Sequence, residues 1–390
     1  MDEAARIYLD HNATTPLRPE ALAAMVPYLR EQHGNPSSPG FSGRLAKEAV
    51  VRARSEVAGL IGAQASEILF TSGATESIHQ AILGALELAP DLPRVVSTAV
   101  EHPSTALLWE RLEGRGVEVV RLPVDRQGLL DLAELQWALE KPAALLSLVW
   151  VNNETGVVSP VERALSLAKE KGILCHLDAA QAVGKIPVAA QALPFDLLSF
   201  SAHKLGGPKG IGVLFIRKGV RIPPLFCGHQ ERGRRGGTEN VAAIAGFGVA
   251  ARLAASGLAD RSQVVGRLRD RLEEGILQAL ADVVTIHGRR SPRVANTTSI
   301  QFGRIEGEEL LARLERHGIE ASLGSACSSG GEEPSRILLA MGLSAEEARA
   351  TLRFSLGEET TSEKLDRATR TIAEEASALL GRQTAGRRTG

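Results

Sequence analysis

The stretch SFSAHKLGGPKG, residues 199–210, places a histidine and a lysine between an apolar run and a glycine-rich turn. The apolar run begins at residue 195, and a second run, IGVLFIRKG, follows at residues 211–219. Apolar runs of this length, bounded by turn residues, predict buried strands. Lys204 ends the first run. On this stretch alone it is either a solvated loop cation or a buried amine capable of covalent chemistry.

Similar apolar, β-branched runs recur in the first half of the chain, and most of them precede a turn and a helical pattern. They cover residues 67–73, 95–102, 145–153 and 172–181. Strands that alternate with helices predict an α/β fold with a mostly parallel sheet, covered by helices on both faces.

The pattern changes after about residue 240. Two long helical segments are followed by strand-like TTSIQF, helical GEELLARLERHG and strand-like TLRFSLG. These elements predict a second, smaller α+β domain, with which we expect the first residues of the chain to pack. We place the large domain at residues 14–258 and the small domain at residues 1–13 and 259–390.

The composition argues against several classes of protein. The 390 residues include 45 basic and 46 acidic side chains, a formal net charge of −1. This balance gives no electrostatic attraction for nucleic acids or membranes, and the apolar runs are too short to cross a bilayer. No cationic leader opens the chain, so we expect no secretory signal. Cys175, Cys227 and Cys327 form no paired framework, which favours a reduced, cytoplasmic protein.

Polar or conformationally special residues follow five of the predicted strands: Gly73–Thr75, His102, Asn153, Asp178 and Lys204. In parallel α/β sheets, ligands bind outside the carboxyl ends of the strands. Five such endings therefore predict one common site.

Each of these residues also has an ordinary structural interpretation. The turn TSGATE, residues 71–76, is either an anion cradle at a helix start or a plain capped helix. Asp178 either holds a proton on a ring nitrogen or caps a helix, and Gln181 either shares its face or lies on the surface. His102 either stacks on a ring and moves protons or is structural. Asn153 either binds a carboxylate or bonds its own turn.

Nine motifs then occur in the order and spacing of one enzyme family: YLDHNATTP, FTSGATES, EHPS, VNNETGVV, HLDAAQAVGK, SFSAHKLGGPKGIG, ERGRRGGTEN, GSACSS and RFSLG. The chain resembles the cysteine desulfurases, which are pyridoxal-phosphate enzymes of the class V aminotransferase superfamily. The resemblance covers residues 6 to about 375. It implies fold type I of these enzymes, in which a large domain with a seven-stranded sheet precedes a smaller α+β domain.

The resemblance assigns cofactor-binding roles. Lys204 would carry pyridoxal 5'-phosphate, Asp178 would pair with its ring nitrogen, Gln181 would contact its ring hydroxyl and His102 would stack on the ring. The implied phosphate contacts are Ala74, Thr75, Ser201 and His203, together with Thr238 from the other subunit of a homodimer.

The resemblance also assigns the substrate contacts and the nucleophile. Asn153 and Arg353 would bind the carboxylate of L-cysteine, and Cys327 would accept its sulfur as a persulfide, leaving alanine. The small residues around Cys327 (GSACSSGG) predict a loop rather than a buried position. The longer stretch GSACSSGGEEPS resembles the subgroup that passes sulfur to iron–sulfur scaffolds or thiolation enzymes. His102 would relay a proton.

Three alternatives remain at this point: a selenocysteine lyase, another class V aminotransferase-like enzyme, and a non-catalytic sulfur-pathway binding protein. The sequence also departs from the family. Cys227 and His229 stand where glycines are common, and Ile78 and His79 replace an Asp/Asn-Asn pair. We expect no metal site from these residues.

Overall fold

The computed structural model describes residues 6–324 and 333–386, with side chains described as far as residue 381. Its main feature is a sheet of seven strands: β2 (Ile68–Thr71), β3 (Arg94–Thr98), β4 (Glu118–Leu122), β5 (Leu145–Val149), β6 (Leu174–Asp178), β7 (Leu197–Ser201) and β8 (Gly212–Ile216). Their order is β2-β8-β7-β6-β5-β3-β4. Six strands run in one direction, and β8 lies antiparallel to β7 and β2. The predicted mostly parallel α/β sheet is confirmed.

The strands that could be predicted from the sequence are the buried ones. Every residue of β2, β3, β5, β7 and β8 is buried. Strands that are covered on both faces read as continuous apolar runs. Strand β4 lies at the edge of the sheet and is partly exposed. Its sequence EVVRL carries charged residues, and we did not predict it.

Four helices each follow a strand of this sheet: α3 (Ala74–Leu88), α4 (Pro103–Glu113), α5 (Leu132–Ala138) and α6 (Val161–Glu170). A second group comprises α1 (Pro19–Arg30), α2 (Phe41–Leu60), the short α7 (Gln230–Gly233) and α8 (Val241–Ala255). Helix α8 is rich in alanine and glycine. A Cβ on Gly248 would stand 2.6 Å from the Cα of Ala53 in α2, so this glycine allows the two helices to approach closely.

The remaining elements form a smaller α+β unit. Its helices are α9 (Leu258–Leu280), α10 (Gly307–Arg316), α11 (Arg336–Ala340), α12 (Ala345–Arg349) and α13 (Ser362–Gly386). Strands β9 (Val284–His287), β10 (Thr297–Phe302) and β12 (Thr351–Ser355) make an antiparallel sheet in the order β12-β10-β9. Strand β1 (Ile7–Tyr8) pairs in parallel with β11 (Ile319–Glu320).

The two largest apolar cores of the described residues lie in different parts of the molecule. One lies around the large sheet. The other, which we call the C-terminal core, contains Phe302, Phe354 and Leu272, and Ile7 and Leu9 from the start of the chain pack into it. The exact domain boundaries stay a prediction.

The sequence predicts no membrane-spanning segment, and the lengths and compositions of the helices can be compared with that prediction. Among the described residues, no single helix is long and apolar enough to cross a membrane. Helices α8 and α9 pass that test only as a pair, bent by 76° at the break between them.

We predict that Leu9→Ala lowers the free energy of unfolding by about 3 kcal/mol, because it leaves a cavity in the C-terminal core. Leu9 is 0% exposed, whereas Leu17, eight residues further on, is 36% exposed. Leu17→Ala is therefore the matched control, with an expected change below about 0.5 kcal/mol. Urea unfolding followed by circular dichroism measures both variants, and equal midpoints would contradict the prediction.

Candidate active site

A cavity of about 470 Å³ opens beyond the carboxyl ends of the parallel strands. Its volume is typical of a site for a small ligand or cofactor. Ten residues singled out from the sequence line it: Ala74, Thr75, His102, Asn153, Asp178, Gln181, Ser201, His203, Lys204 and Arg353. The structure thus brings into one place residues that are spread over 280 positions of the chain.

The turn at residues 72–75 forms the cavity wall at the start of α3. Glu76 fixes this turn. Its carboxylate accepts a hydrogen bond from the Ser72 N–H at 2.8 Å and forms an ion pair with Arg235 at 2.9 Å. Burial opposes ionisation, but these hydrogen bonds hold the pKa of Glu76 below its ordinary value. The N–H groups of a helix start suit a phosphate group.

Asp178 lies at the end of β6 and is 4% exposed. Its Oδ1 accepts a hydrogen bond from the Ala180 N–H at 3.0 Å, so it supports its own turn while it lines the cavity. Burial raises the pKa of Asp178 to about 6, although the nearby Lys204 opposes this shift. A buried carboxyl of this kind can accept or share the proton of a ring nitrogen.

His102 also combines a structural contact with a place in the cavity wall. Its Nδ1 accepts a hydrogen bond from the Ser104 N–H at 3.1 Å, which caps α4. Burial, with the positive charges of Lys204 and Arg353, lowers the pKa of His102 to about 4. The imidazole is therefore neutral at pH 7, a state in which it can stack on a flat ligand or accept a proton.

Lys204 follows β7 in a 3₁₀ turn, Ala202–Lys204. Its Nζ donates hydrogen bonds to two backbone carbonyls, Asn12 at 2.6 Å and Ala13 at 2.7 Å. The Gln181 amide donates to the same Asn12 carbonyl at 2.9 Å. The lysine is thus partly buried and held by the N-terminal segment, which excludes the interpretation as a solvated loop cation.

Sequence reasoning missed the role of Asn12. Its Nδ2 donates to Thr297 Oγ1 at 2.9 Å and to the Asn153 carbonyl at 3.0 Å. Its Oδ1 accepts from Lys185 at 2.6 Å. The motif YLDHNATTP was the available signal, but its residues carried no assigned chemistry.

Lys185 is a second partly buried amine near Lys204. It donates hydrogen bonds to Asn12 and to the Gln181 side chain. Burial, with the charges of Lys204 and Arg353, holds the pKa of Lys185 well below its ordinary value. The motif HLDAAQAVGK ends at Lys185, but the sequence alone assigned no role to this residue.

Asn153 and Arg353 meet at the opposite wall of the cavity. Arg353 is paired with Asp10 at 2.6 Å, and its Nη1 donates to the Asn153 carbonyl at 3.1 Å. The Arg353 Nε and the Asn153 Oδ1 are buried, and neither has a hydrogen-bond partner among the described residues. Buried polar atoms are nearly always paired, so these two suit a polar ligand such as an amino acid.

Ser201 and His203 complete the wall near the Lys204 turn. The Ser201 hydroxyl donates to the Ile211 carbonyl at 3.3 Å, and His203 Nδ1 lies 3.2 Å from Thr14 Oγ1. Burial and the charge of Lys204 lower the pKa of His203 to about 4. With the cradle at 72–75, Asp178 and Lys204, these groups fit pyridoxal phosphate, which needs an anion site, a ring-nitrogen partner and an amine.

Two predicted residues are not among those that line the cavity in the described part of the chain. Thr238 is exposed and does not line this cavity. Cys327 lies outside the described residues, although Gly324, three residues before it, lines the cavity.

The other two cysteines differ in exposure. Cys227 is exposed, and burial raises the pKa of Cys175 to about 12. Within the described ranges, no group of three or more His, Cys, Asp or Glu side chains could hold a metal.

Comparison with known proteins gives a consistent result. The family model for class-V aminotransferases matches residues 7–368. Cysteine desulfurase 2 of Trichormus variabilis is 48% identical over 93% of this chain and 90% of its own length. A solved NifS-like protein is 35% identical with a TM-score of 0.89, covering 96% of this chain and 100% of its own. A structure described as SspA in complex with cysteine is 32% identical with a TM-score of 0.78, covering 90% and 98%.

We predict that the chemical shifts of the His102 ring carbons stay constant between about pH 5.5 and pH 8, because desolvation and nearby cations keep the imidazole neutral. Carbon-13 NMR of the ligand-free protein, assigned with a His102→Gln variant, measures this directly. The pKa of His102 is lowered to about 4, so protonation should begin only well below pH 5.5. A midpoint near about 6.5, the value for an exposed histidine, would contradict the prediction.

Proposed function

This chain belongs to the class-V aminotransferase family and, within it, to the cysteine desulfurases, and we propose that it transfers the sulfur of L-cysteine to Cys327. The products are L-alanine and an enzyme persulfide. The observation that carries the proposal is that the Lys204 amine, the Asp178 carboxyl and the turn at 72–75 line one cavity.

The cofactor is pyridoxal 5'-phosphate, and the residues present fit it. When bound, it supplies the electron sink that makes loss of the Cα proton of an amino acid feasible. The turn at 72–75, with Ser201 and His203, would hold the phosphate. Asp178 would keep the ring nitrogen protonated, and the Gln181 side chain would face the ring hydroxyl.

Residues of this chain also bind and deprotonate the substrate. Asn153 and Arg353 hold the cysteine carboxylate, and the buried Arg353 Nε, which has no partner among the described residues, would donate to it. Lys204 Nζ takes the Cα proton, because its turn places the amine at the cavity. The neutral His102 beside it can accept and return a proton.

Sulfur transfer then requires a thiolate. The Cys327 thiolate attacks the substrate sulfur, a sulfur–sulfur bond forms and the carbon–sulfur bond breaks. The substrate carbon keeps the electron pair and takes a proton, which gives alanine. Only the thiolate is nucleophilic enough for this step.

The protein acts as a homodimer in this proposal, with Thr238 of one subunit contacting the cofactor phosphate of the other. The exposed position of Thr238, away from its own chain's cavity, supports this arrangement. Exposed apolar side chains on α1 and α2, Leu22, Leu29, Phe41 and Val51, offer a surface for the second copy.

The sulfur acceptor in this proposal is an iron–sulfur scaffold or a thiolation enzyme. The stretch GSACSSGGEEPS supports it, because it resembles the subgroup that serves such acceptors. The location is cytoplasmic, where reducing conditions keep Cys327 available as a thiol.

Borohydride reduction tests the lysine. The parent protein, reconstituted with pyridoxal phosphate, should be yellow and should carry a pyridoxyl label on Lys204 after reduction. Lys204→Ala should lose both the label and turnover, since the amine assigned to the cofactor is then absent. Lys209→Ala, in the same glycine-rich turn, should keep the label. A parent protein without a label at Lys204 would refute the assignment.

Sulfide release tests the nucleophile. With cysteine and a thiol reductant, Cys327→Ala should keep the yellow colour and lose sulfide release by at least about 100-fold, because the attacking sulfur is gone. The exposed Cys227 provides the matched control, and Cys227→Ala should match the parent. Parent-level desulfuration by Cys327→Ala would show that Cys327 is not the nucleophile, and comparison with selenocysteine would then test the lyase alternative.

A further inference from the structure

A single buried carboxyl, Glu154, contacts Gly324 and Ser335, which lie before and after Cys327 in the sequence and delimit the segment 324–335. We propose that Glu154 is a positioning residue that holds Gly324 at the cavity and Ser335 at the start of α11, and so controls how fast the Cys327 thiol attacks the substrate sulfur. This inference rests on the proposed function.

The downstream contact is a hydrogen bond. The Ser335 hydroxyl donates to Glu154 Oε2 at 2.5 Å, and its oxygen accepts from the Leu338 N–H at 3.2 Å. Ser335 therefore caps α11 and joins it to Glu154. Because Ile337 and Leu338 of α11 are buried in an apolar cluster with Val149 of β5, this end of the segment is anchored in the protein.

The upstream contact between Glu154 and Gly324 is steric. A Cβ on Gly324 would stand 2.7 Å from Glu154 Oε2, and Gly324 has a φ of +87°, so the backbone passes directly against the carboxyl. The Gly324 carbonyl accepts from Arg353 Nη1 at 3.3 Å. The same guanidinium contacts Asn153, so this end is tied to the residues assigned to the substrate carboxylate.

Hydrogen bonds also hold the backbone of Glu154. Asn152 Oδ1 accepts hydrogen bonds from the N–H groups of Glu154 and Thr155, both at 3.0 Å, and Asn152 Nδ2 donates to the Val100 carbonyl at 3.2 Å. Glu154 is 3% exposed. Burial raises its pKa to about 7, against the opposing effects of Ser335 and Arg353. A buried carboxyl needs such partners, so the contacts with the segment ends are favoured.

Chain length makes the upstream anchor decisive. Cys327 follows Gly324 by three residues. Three residues of chain span at most about 11 Å, so Gly324, which lines the cavity, is close along the chain to the reacting thiol. Holding reactants close raises a reaction rate strongly, and a displacement of about 1 Å can cost about 100-fold.

The experiment separates substrate binding from sulfur transfer in the holoenzyme. The absorbance change of the bound cofactor on adding cysteine reports binding. Alanine formed per site in a single turnover without reductant, with mass spectrometry of the Cys327 peptide, reports persulfide formation. We expect Glu154→Ala to leave the half-saturating cysteine concentration within about twofold and to slow persulfide formation at least about tenfold. Glu154→Gln, which keeps the length and an acceptor oxygen, should restore most of the rate.

A pair of serines provides a matched control. Ser335 and Ser344 each cap a five-residue helix, and each accepts a backbone N–H at 3.2 Å, but only Ser335 contacts Glu154. Ser335→Ala should slow persulfide formation, and Ser344→Ala should not. Equal rates for these two variants, or a loss of binding in Glu154→Ala that matches its loss of rate, would overturn the proposal.

The parent enzyme separates this inference from the proposed function. If the parent forms no persulfide on Cys327, the proposed function fails. If the parent forms it and Glu154→Ala forms it equally fast, the function stands and the positioning role of Glu154 is wrong.

Discussion

The hydrogen bonds of Asn12 join three parts of the chain that are far apart in sequence. Its carbonyl accepts hydrogen bonds from Lys204 and Gln181, which follow strands of the large sheet. Its side chain is hydrogen-bonded to Thr297 in β10 and to Lys185. Leaving a buried amine or amide unpaired costs several kcal/mol, so these groups fix one another. With the Ala13 carbonyl, which also accepts from Lys204, Asn12 holds the Lys204 amine at the cavity.

Positive charge is concentrated around this junction. Lys185 and Arg353 lie near Lys204, and the histidines at 102 and 203 are kept neutral by burial and by the charge of Lys204. Repulsion among these cations is unfavourable unless anions enter. Asp178 and Asp10 offset part of it, and an anionic cofactor and a substrate carboxylate would offset more. The electrostatics therefore favour the ligands that the family uses.

Much of the fold could be predicted because burial on both faces leaves a continuous apolar signal. Strands β5, β6 and β7 lie within the runs that predicted them. The edge strand β4 and the two-residue strands β1 and β11 leave no such signal. The antiparallel direction of β8 depends on which neighbour it pairs with, and a local pattern does not encode that choice. His102 and Asn153 lie four residues beyond their strands, in the connections.

The sequence by itself determined the chemistry: which residues carry an amine, a carboxyl or a thiol, and that they follow one another in the order of one family. The tertiary structure decided the contacts that position them. Asn12 contacts Lys204 across 192 positions and Glu154 contacts Ser335 across 181. Such pairs have no periodicity and no fixed spacing, because folding alone brings them together. The local sequence therefore identifies the reacting groups, whereas the contacts that hold them in place are known only from the packing of the folded chain.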